Sequence, residues 1–127
     1  MNLEHKVEGE KCDLRDGQCI LIKDNQTFTV SVTPSPIQIE EQSNINISIP
    51  NEWRLDSAWI EGMNMFMGRM LIIQESTTSH DVETEILGSF FLGSCSQPKM
   101  KWKIMLKLYK GDEEQPLFLE YHFTTSV

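Results

Sequence analysis

Residues 27–33 read T-F-T-V-S-V-T, and this stretch decides the fold class because its polar and apolar residues alternate strictly. Phe28, Val30 and Val32 fall on one face of an extended chain, and the threonine and serine side chains fall on the other. A period of two over seven residues is typical of a β-strand with one buried face. Pro34 follows directly, and because proline cannot donate to a strand ladder, the strand is predicted to end there.

The same alternation recurs along most of the chain. It is clearest in residues 44–50, N-I-N-I-S-I-P, and 101–110, K-W-K-I-M-L-K-L-Y-K. Further strands are predicted at residues 19–23, 37–39, 56–62, 70–74, 82–92 and 117–125, with a loop at 75–81 and a bulge or bend at Gly88. No stretch has the period of an amphipathic helix. About eight short strands separated by turn signals predict an all-β, antiparallel sandwich of immunoglobulin-like type.

The length of 127 residues predicts one domain with one hydrophobic core. Residues 1–11 contain few apolar side chains, so we expect a flexible leader there. The sandwich is then predicted to occupy residues 12–127.

The charge balance excludes several classes of function. Eleven basic and 19 acidic residues give a formal net charge of −8 and a pI near 4.8. An acidic surface repels phosphate groups, so nucleic-acid binding and binding to anionic membranes are both disfavoured. No run of about 18 apolar residues is present, so neither direct membrane insertion nor a signal peptide is expected from these residues.

Two of the three cysteines bracket a short polar segment, C-D-L-R-D-G-Q-C, between Cys12 and Cys19. Asp16-Gly17 is a turn signal within it, and a disulfide between the two cysteines is favoured. Such a bridge indicates an oxidising compartment, whereas two reduced thiols in a cytosolic protein are the alternative. A zinc clip is disfavoured because the cysteine spacing is too wide.

Residues 59–70, W-I-E-G-M-N-M-F-M-G-R-M, contain four of the seven methionines. In an extended chain, Met63, Met65 and Met67 would point to the same side. Cys95 and Met100 lie close together before the next predicted strand, so a second loop could add their sulfurs. Soft sulfur ligands suit Cu(I), and these five residues are the predicted metal ligands. The alternative is that the methionines fill an irregular core or form an adaptable contact surface.

Other chemistry has little support in the sequence. His5, His80 and His122 are far apart without helical or strand spacing, so a zinc or histidine-rich Cu(II) site is not predicted. Phosphate-binding glycine loops and nucleophile elbows are missing, and we do not expect an enzyme. A redox role for Cys95, with Lys99 lowering its thiol pKa, is a weaker possibility.

The order of these motifs resembles a family of small exported proteins of Gram-negative bacteria. Its members carry C-D-L-x-x-G-x-C, P-x-P-I, M-N-M-G-like and C-x-x-x-x-M-x-W elements in the same order. The matching residues here are Cys12, Cys19, Pro34, Pro36, Met63, Met65, Met67, Gly68, Cys95, Met100 and Trp102. The extra methionine before Gly68 departs from the family pattern. The resemblance implies a domain outside the cytoplasm, exported or membrane-anchored, and implies no particular activity.

Two functions follow as expectations. The first is a periplasmic binding domain that carries Cu(I) for copper handling or oxidase assembly, with copper as its cofactor. The second is a structural or protein-interaction module of the cell envelope without a metal, which binds an envelope partner. The second function requires Phe66 and Met67 to be exposed in an apolar patch.

Overall fold

The computed structural model describes residues 5–66, 68–93 and 98–126. Within these residues the chain forms eleven β-strands and no helix, and so no helix that could cross a membrane. The strands are β1 (Lys6–Glu8), β2 (Lys11–Asp13), β3 (Gln18–Lys23), β4 (Gln26–Thr33), β5 (Gln42–Pro50), β6 (Trp53–Gly62), β7 (Arg69–Leu71), β8 (Ile73–Ser79), β9 (Glu83–Phe91), β10 (Lys99–Lys110) and β11 (Leu117–Ser126).

The strands form two sheets that pack face to face. One sheet has the order β1-β3-β4-β5-β9-β8, and the other has the order β2-β11-β10-β6-β7. The predicted all-β sandwich is therefore confirmed, although with eleven strands instead of about eight. Neighbouring strands are antiparallel except for β1 beside β3 and β2 beside β11, which are parallel. Both sheets are therefore mixed at one edge, where a purely antiparallel sandwich was expected.

The core lies between the inner faces that the alternation predicts. Phe28, Val30 and Val32 of β4 are at most 2% exposed, and residues of β5 and β9 extend the same face. In the opposite sheet, the apolar face of β10 is fully buried, and it consists of Met100, Trp102, Ile104, Leu106 and Leu108. Burial of these side chains from both sheets supplies the main driving force for folding.

On each open side of the sandwich a segment of the chain crosses from one sheet to the other. Residues 6–8 pair with β3, and after Gly9 and Glu10 the same segment pairs with β11 as β2. On the opposite side, β7 pairs with β6, and after the buried Ile72 the chain pairs with β9 as β8. Residues 6–8 and 11 are thus part of the sheets, which differs from the expected leader at residues 1–11.

Two further segments differ from the sequence expectation. The predicted loop at 75–81 is a strand as far as Ser79, because its backbone pairs with β9 although all seven side chains of β8 are exposed. Residues 37–39 form no strand, and Ile37 is buried from a loop. The bulge expected near Gly88 lies opposite it, between Gln74 and Ser76 of β8.

Buried hydrogen bonds join parts of the core. The Trp102 indole Nε1 donates to the Thr125 hydroxyl at 2.9 Å, which satisfies the only polar atom of the indole. The Tyr121 hydroxyl on β11 donates to the Phe28 carbonyl oxygen on β4 at 2.6 Å and therefore links the two sheets. Burial raises the pKa of the Tyr121 phenol because the interior disfavours the phenolate.

The Tyr121 phenol should make stability fall at alkaline pH. A pKa that is raised on folding stabilises the protein below the unfolded tyrosine value of about 10, and this stabilisation is lost as the pH rises above it. Tyr121→Phe should lower the free energy of unfolding by about 1 kcal/mol at neutral pH, and should make its decline above pH 10 less steep. Urea unfolding at several pH values measures both effects. Tyr109→Phe, at a half-buried position, is the control that should keep the steep decline.

Candidate functional site at the methionine loop

Strand β6 ends at Gly62, before the first methionine of the cluster. The following loop, residues 63–68, is called the methionine loop here. The Met63 backbone N–H donates to the Lys101 carbonyl at 2.7 Å. The Asn64 side chain then binds β10 twice, because its Nδ2 donates to the Lys99 carbonyl at 3.1 Å and its Oδ1 accepts from the Lys101 N–H at 2.9 Å. The Asn64 amide takes the place of a strand partner, which lets the backbone leave the sheet.

Met63 and Met65, the methionines of this loop that the structure describes, do not lie on one face of an extended strand. Residues 63–65 are a series of bends, so the period-two geometry does not apply. Met63 is 46% exposed and lines a cleft of about 410 Å³ together with Lys101 and His122. Met65 is half-buried against the core. The expectation of an extended segment was therefore wrong, because Asn64 ends the ladder where the alternation would have to continue.

Met100, the last of the five predicted ligands, is a core residue of β10 with 1% of its surface exposed. A Cβ atom at Gly62 would lie 3.0 Å from the Met100 Cε and would also meet the Met65 carbonyl oxygen, so Gly62 is where the loop base and Met100 come together. Met67 and Cys95, the other two predicted ligands, lie outside the described residues.

Cu(I) binding by these sulfurs stays a prediction. Within residues 5–66, 68–93 and 98–126, no group of three or more His, Cys, Asp or Glu side chains could hold a metal ion. The structure assigns different environments to the described sulfurs. Met63 is in a surface cleft, Met65 is half-buried, and Met100 is in the core.

Phe66 lies in the methionine loop with 90% of its surface exposed. Large aromatic side chains are usually buried in a monomeric protein, so this degree of exposure is informative. The base of the loop is fixed by the three hydrogen bonds of Met63 and Asn64 to β10. The structure therefore presents an apolar side chain from an anchored loop.

The charges around the loop differ from those of the whole molecule. Lys99 and Lys101, whose backbones hold Asn64, are exposed, and neither ammonium group pairs with a carboxylate in the part of the chain that the structure describes. Arg69 at the far end of the loop lies 3.3 Å from Glu61 and covers the Trp59 ring at 4.5 Å from its centroid. An acidic protein thus carries two exposed ammonium groups on the strand that holds the base of the methionine loop.

Of the histidines, His122 lines the same cleft as Met63, and His80 lies on the other sheet. His122 is half-buried on the outer face of β11, where its Nε2 lies 3.0 Å from Glu120 and its Nδ1 lies 3.9 Å from Asp13. Partial burial raises the pKa of Glu120, but the His122 hydrogen bond and the nearby lysines outweigh it and lower the pKa overall. His80 lies at the end of β8, 3.9 Å from Glu85.

The structure contains the predicted disulfide between Cys12 and Cys19. Their Cα atoms are 6.6 Å apart, and both side chains are buried. Cys12 belongs to β2 and Cys19 to β3, so the bond connects the five-stranded sheet to the six-stranded sheet.

Sequence reasoning missed the part that Asn64 plays in the loop. A lone asparagine within an apolar run is a signal that could have found it, since asparagine side chains readily bind nearby backbone groups. The strand predicted at residues 101–110 also begins two residues later than β10, which starts at Lys99. Continuing the alternation K-M-K-W backwards from Trp102 would have placed Met100 on the buried face.

Comparison with known proteins adds little to this description. No family model matches the chain, and no curated protein matches it. Among solved structures, the chain is similar to the CooA pilin subunit from enterotoxigenic Escherichia coli. That similarity covers 98% of this chain and 91% of the pilin chain, at 7% sequence identity and a TM-score of 0.33.

Proposed function

We propose that this domain is a protein-interaction module of the cell envelope, and that its methionine loop is the contact element. The observation that carries the proposal is the exposure of Phe66, 90%, on a loop whose base is bound to β10. A contact surface needs an exposed apolar side chain that a partner can bury, and Phe66 meets this requirement.

The energetics favour Phe66 as an anchor. Transfer of a phenylalanine side chain from water into an apolar pocket contributes about 1.5–3 kcal/mol. Because Asn64 already holds the base of the loop, a partner orders fewer backbone torsions on binding, and less of that gain is lost. Met63 and its flexible thioether can adapt to the rim of the partner's pocket.

The positive charge at the base of the methionine loop indicates what charge the partner's pocket should carry. Lys99 and Lys101 flank the loop base without carboxylate partners among the described residues. A protein pocket with an apolar floor and carboxylates at its rim would complement both Phe66 and these two ammonium groups. The net charge of −8 opposes a phospholipid surface, which is anionic over a much wider area.

The disulfide supports a location outside the cytoplasm. Disulfides persist in oxidising compartments such as the periplasm and are rare in the cytosol. The bond between Cys12 and Cys19 joins the two sheets, so it belongs to the folded structure itself. An envelope location also agrees with the family resemblance of the sequence motifs.

Site-specific photo-crosslinking tests the proposal. A benzoylphenylalanine residue at position 66 should form one discrete adduct with an envelope protein when cells expressing the domain are irradiated. The same residue at position 118 is the matched control, because Phe118 is also an exposed phenylalanine but lies on the outer face of β11. Lys99→Glu and Lys101→Glu should weaken the position-66 adduct, since they reverse the local charge.

Three results would contradict the proposal: no adduct at position 66, the same adducts at positions 66 and 118, or an adduct that the charge reversals leave unchanged. Flotation with vesicles of anionic phospholipid supplies a separate test. Binding of the domain to those vesicles, lost on Phe66→Ser, would assign the loop to a membrane surface and overturn the proposed protein partner.

A further inference from the structure

A gap between the two sheets lies along the β8 side of the sandwich. Strand β7 pairs only with residues 59–61 of β6, so the first half of β6 has no further neighbour there among the described strands. Strand β8 is the edge of the opposite sheet on the same side, and its side chains are all exposed.

The gap opens into a cleft of about 230 Å³ that reaches core residues. Its apolar lining comes from Ile49, Trp53, Leu55 and Ile86, and Gln74 and Thr77 of β8 form part of its mouth. Ile49 and Ile86 are otherwise buried, at 1% and 3% exposure. The cleft therefore offers an apolar floor to a side chain that enters from the β8 edge.

The backbone of β8 presents hydrogen-bonding groups along this edge. The His80 N–H donates to the Glu83 carbonyl at 2.7 Å, which fixes the alternation of the antiparallel ladder between β8 and β9. In an antiparallel ladder every second residue directs its N–H and C=O groups to the same neighbour. Thr78 and Ser76 therefore point these groups towards β9, as His80 does. Thr77 and Ser79 consequently direct theirs outward. An extended chain that pairs with both would bind β8 as an additional strand.

The other side of the sandwich shows how such an edge is normally protected. There β1 and β2 carry a charged side chain at nearly every exposed position, and the disulfide fastens the segment. Charged side chains on an edge strand discourage strand addition. In β8, residues 76–79 read S-T-T-S, without a charge or a proline. The two edges thus differ in the number of charged side chains, which is the property that discourages strand addition.

The charges beside β8 indicate what kind of segment fits. Glu83 and Glu85 lie on the outer face of β9, and Glu85 pairs directly with Thr78. Glu75 is at the bulge of β8 itself. The outer face beside an added strand is therefore negatively charged, which favours a long basic side chain on that strand and disfavours an acidic one. A second copy of this chain would bring the same carboxylates to the edge.

We propose that the β8 edge is a second interaction site, separate from the methionine loop. Its occupant is an extended segment of a partner protein. The segment pairs with the backbone of Thr77 and Ser79, inserts an apolar side chain between the sheets, and places lysine or arginine on its outer face.

Selection from a phage library of random linear peptides tests this site. Wild-type protein and the Thr77→Pro variant serve as parallel baits. Proline at position 77 removes an outward N–H that β9 does not use, so the fold should be retained. Peptides enriched on the wild-type protein should alternate apolar and polar residues with basic outer positions. We expect them to bind the Thr77→Pro variant about tenfold or more weakly.

Thr77→Ala is the matched control, because it removes the same side chain but keeps the N–H, and it should bind the selected peptides far more tightly than Thr77→Pro does. A selected peptide that is methylated on the backbone nitrogens facing β8 should lose affinity about tenfold, whereas methylation of the alternate nitrogens should have little effect. This comparison needs no protein variant, and so it decides the question even if Thr77→Pro does not fold. Phe66→Ser should leave the peptide affinity unchanged, which separates this site from the proposed function.

Several outcomes would overturn the inference. One is enrichment of peptides that bind wild-type and folded Thr77→Pro protein equally, and another is an equal loss of affinity on methylation of either set of nitrogens. Enrichment of acidic instead of basic peptides would also overturn it. A concentration-dependent dimer that Thr77→Pro abolishes would identify a second copy as the occupant in place of a partner segment.

Discussion

Trp102→Ala should lower the free energy of unfolding by about 3–5 kcal/mol, a large part of the 5–15 kcal/mol that stabilises a typical domain. Trp102 is fully buried in β10 and stacks near Phe123, with the ring centroids 6.4 Å apart. Its removal opens a cavity in the core and leaves the Thr125 hydroxyl without its donor. Urea unfolding monitored by circular dichroism measures the change.

The hydrogen bond and the packing can be separated with a double-mutant cycle. Trp102→Phe keeps an aromatic ring but removes the indole N–H, and Thr125→Val removes the acceptor. We expect the two changes together to cost less than the sum of the single costs, since each single variant leaves one polar group unpaired. Fully additive costs would show that the Trp102–Thr125 hydrogen bond contributes nothing to stability.

Replacement of Cys12 and Cys19 by alanine should lower the free energy of unfolding by about 2–4 kcal/mol. The bond closes a short loop in the unfolded chain, and in the folded protein it fastens β2, which pairs with β11 through only three residues. The measurement is urea unfolding of the double variant beside the wild-type protein, with and without a reducing agent.

Thiol counting supplies the control for that experiment. Of the three cysteines, one should react with a thiol reagent in the unfolded, unreduced wild-type protein, and all three after reduction. The reducing agent should destabilise the wild-type protein and leave the double variant unchanged. Equal stability of the two proteins without reductant would show that the bond does not stabilise the fold.

The strands that could be predicted from the sequence are those with one buried face, because their apolar and polar residues alternate. In β4, β5, β10 and β11 every second residue is apolar and faces the core, so the period is visible in the sequence. Strand β8 was missed beyond Gln74 because its side chains all face solvent and only its backbone pairs. The short strands β1 and β2 were missed for a related reason, since three residues are too few to show a period. The strand predicted at residues 70–74 corresponds to β7 and the first two residues of β8.

The proposed contact surface was only partly predictable for similar reasons. The composition of the methionine loop singled it out, and the exposure of Phe66 agrees with what the interaction hypothesis required. The loop's path could not be derived, because it depends on hydrogen bonds between Asn64 and a strand 35 to 37 residues away in sequence. The β8 edge and its cleft arise from the unequal lengths of β6 and β7, which no local pattern encodes.

The pairing of β2 with β11 has a consequence for how the chain folds during synthesis. Lys11 lies opposite Glu120, so the two strands that meet at this edge are 109 residues apart in the sequence. The five-stranded sheet is therefore incomplete until nearly the whole domain has left the ribosome. Until then, β10 lacks β11 beside it, and its apolar face is exposed in the nascent chain, where chaperones can bind it. Contacts this distant in sequence also predict folding in milliseconds to seconds instead of microseconds.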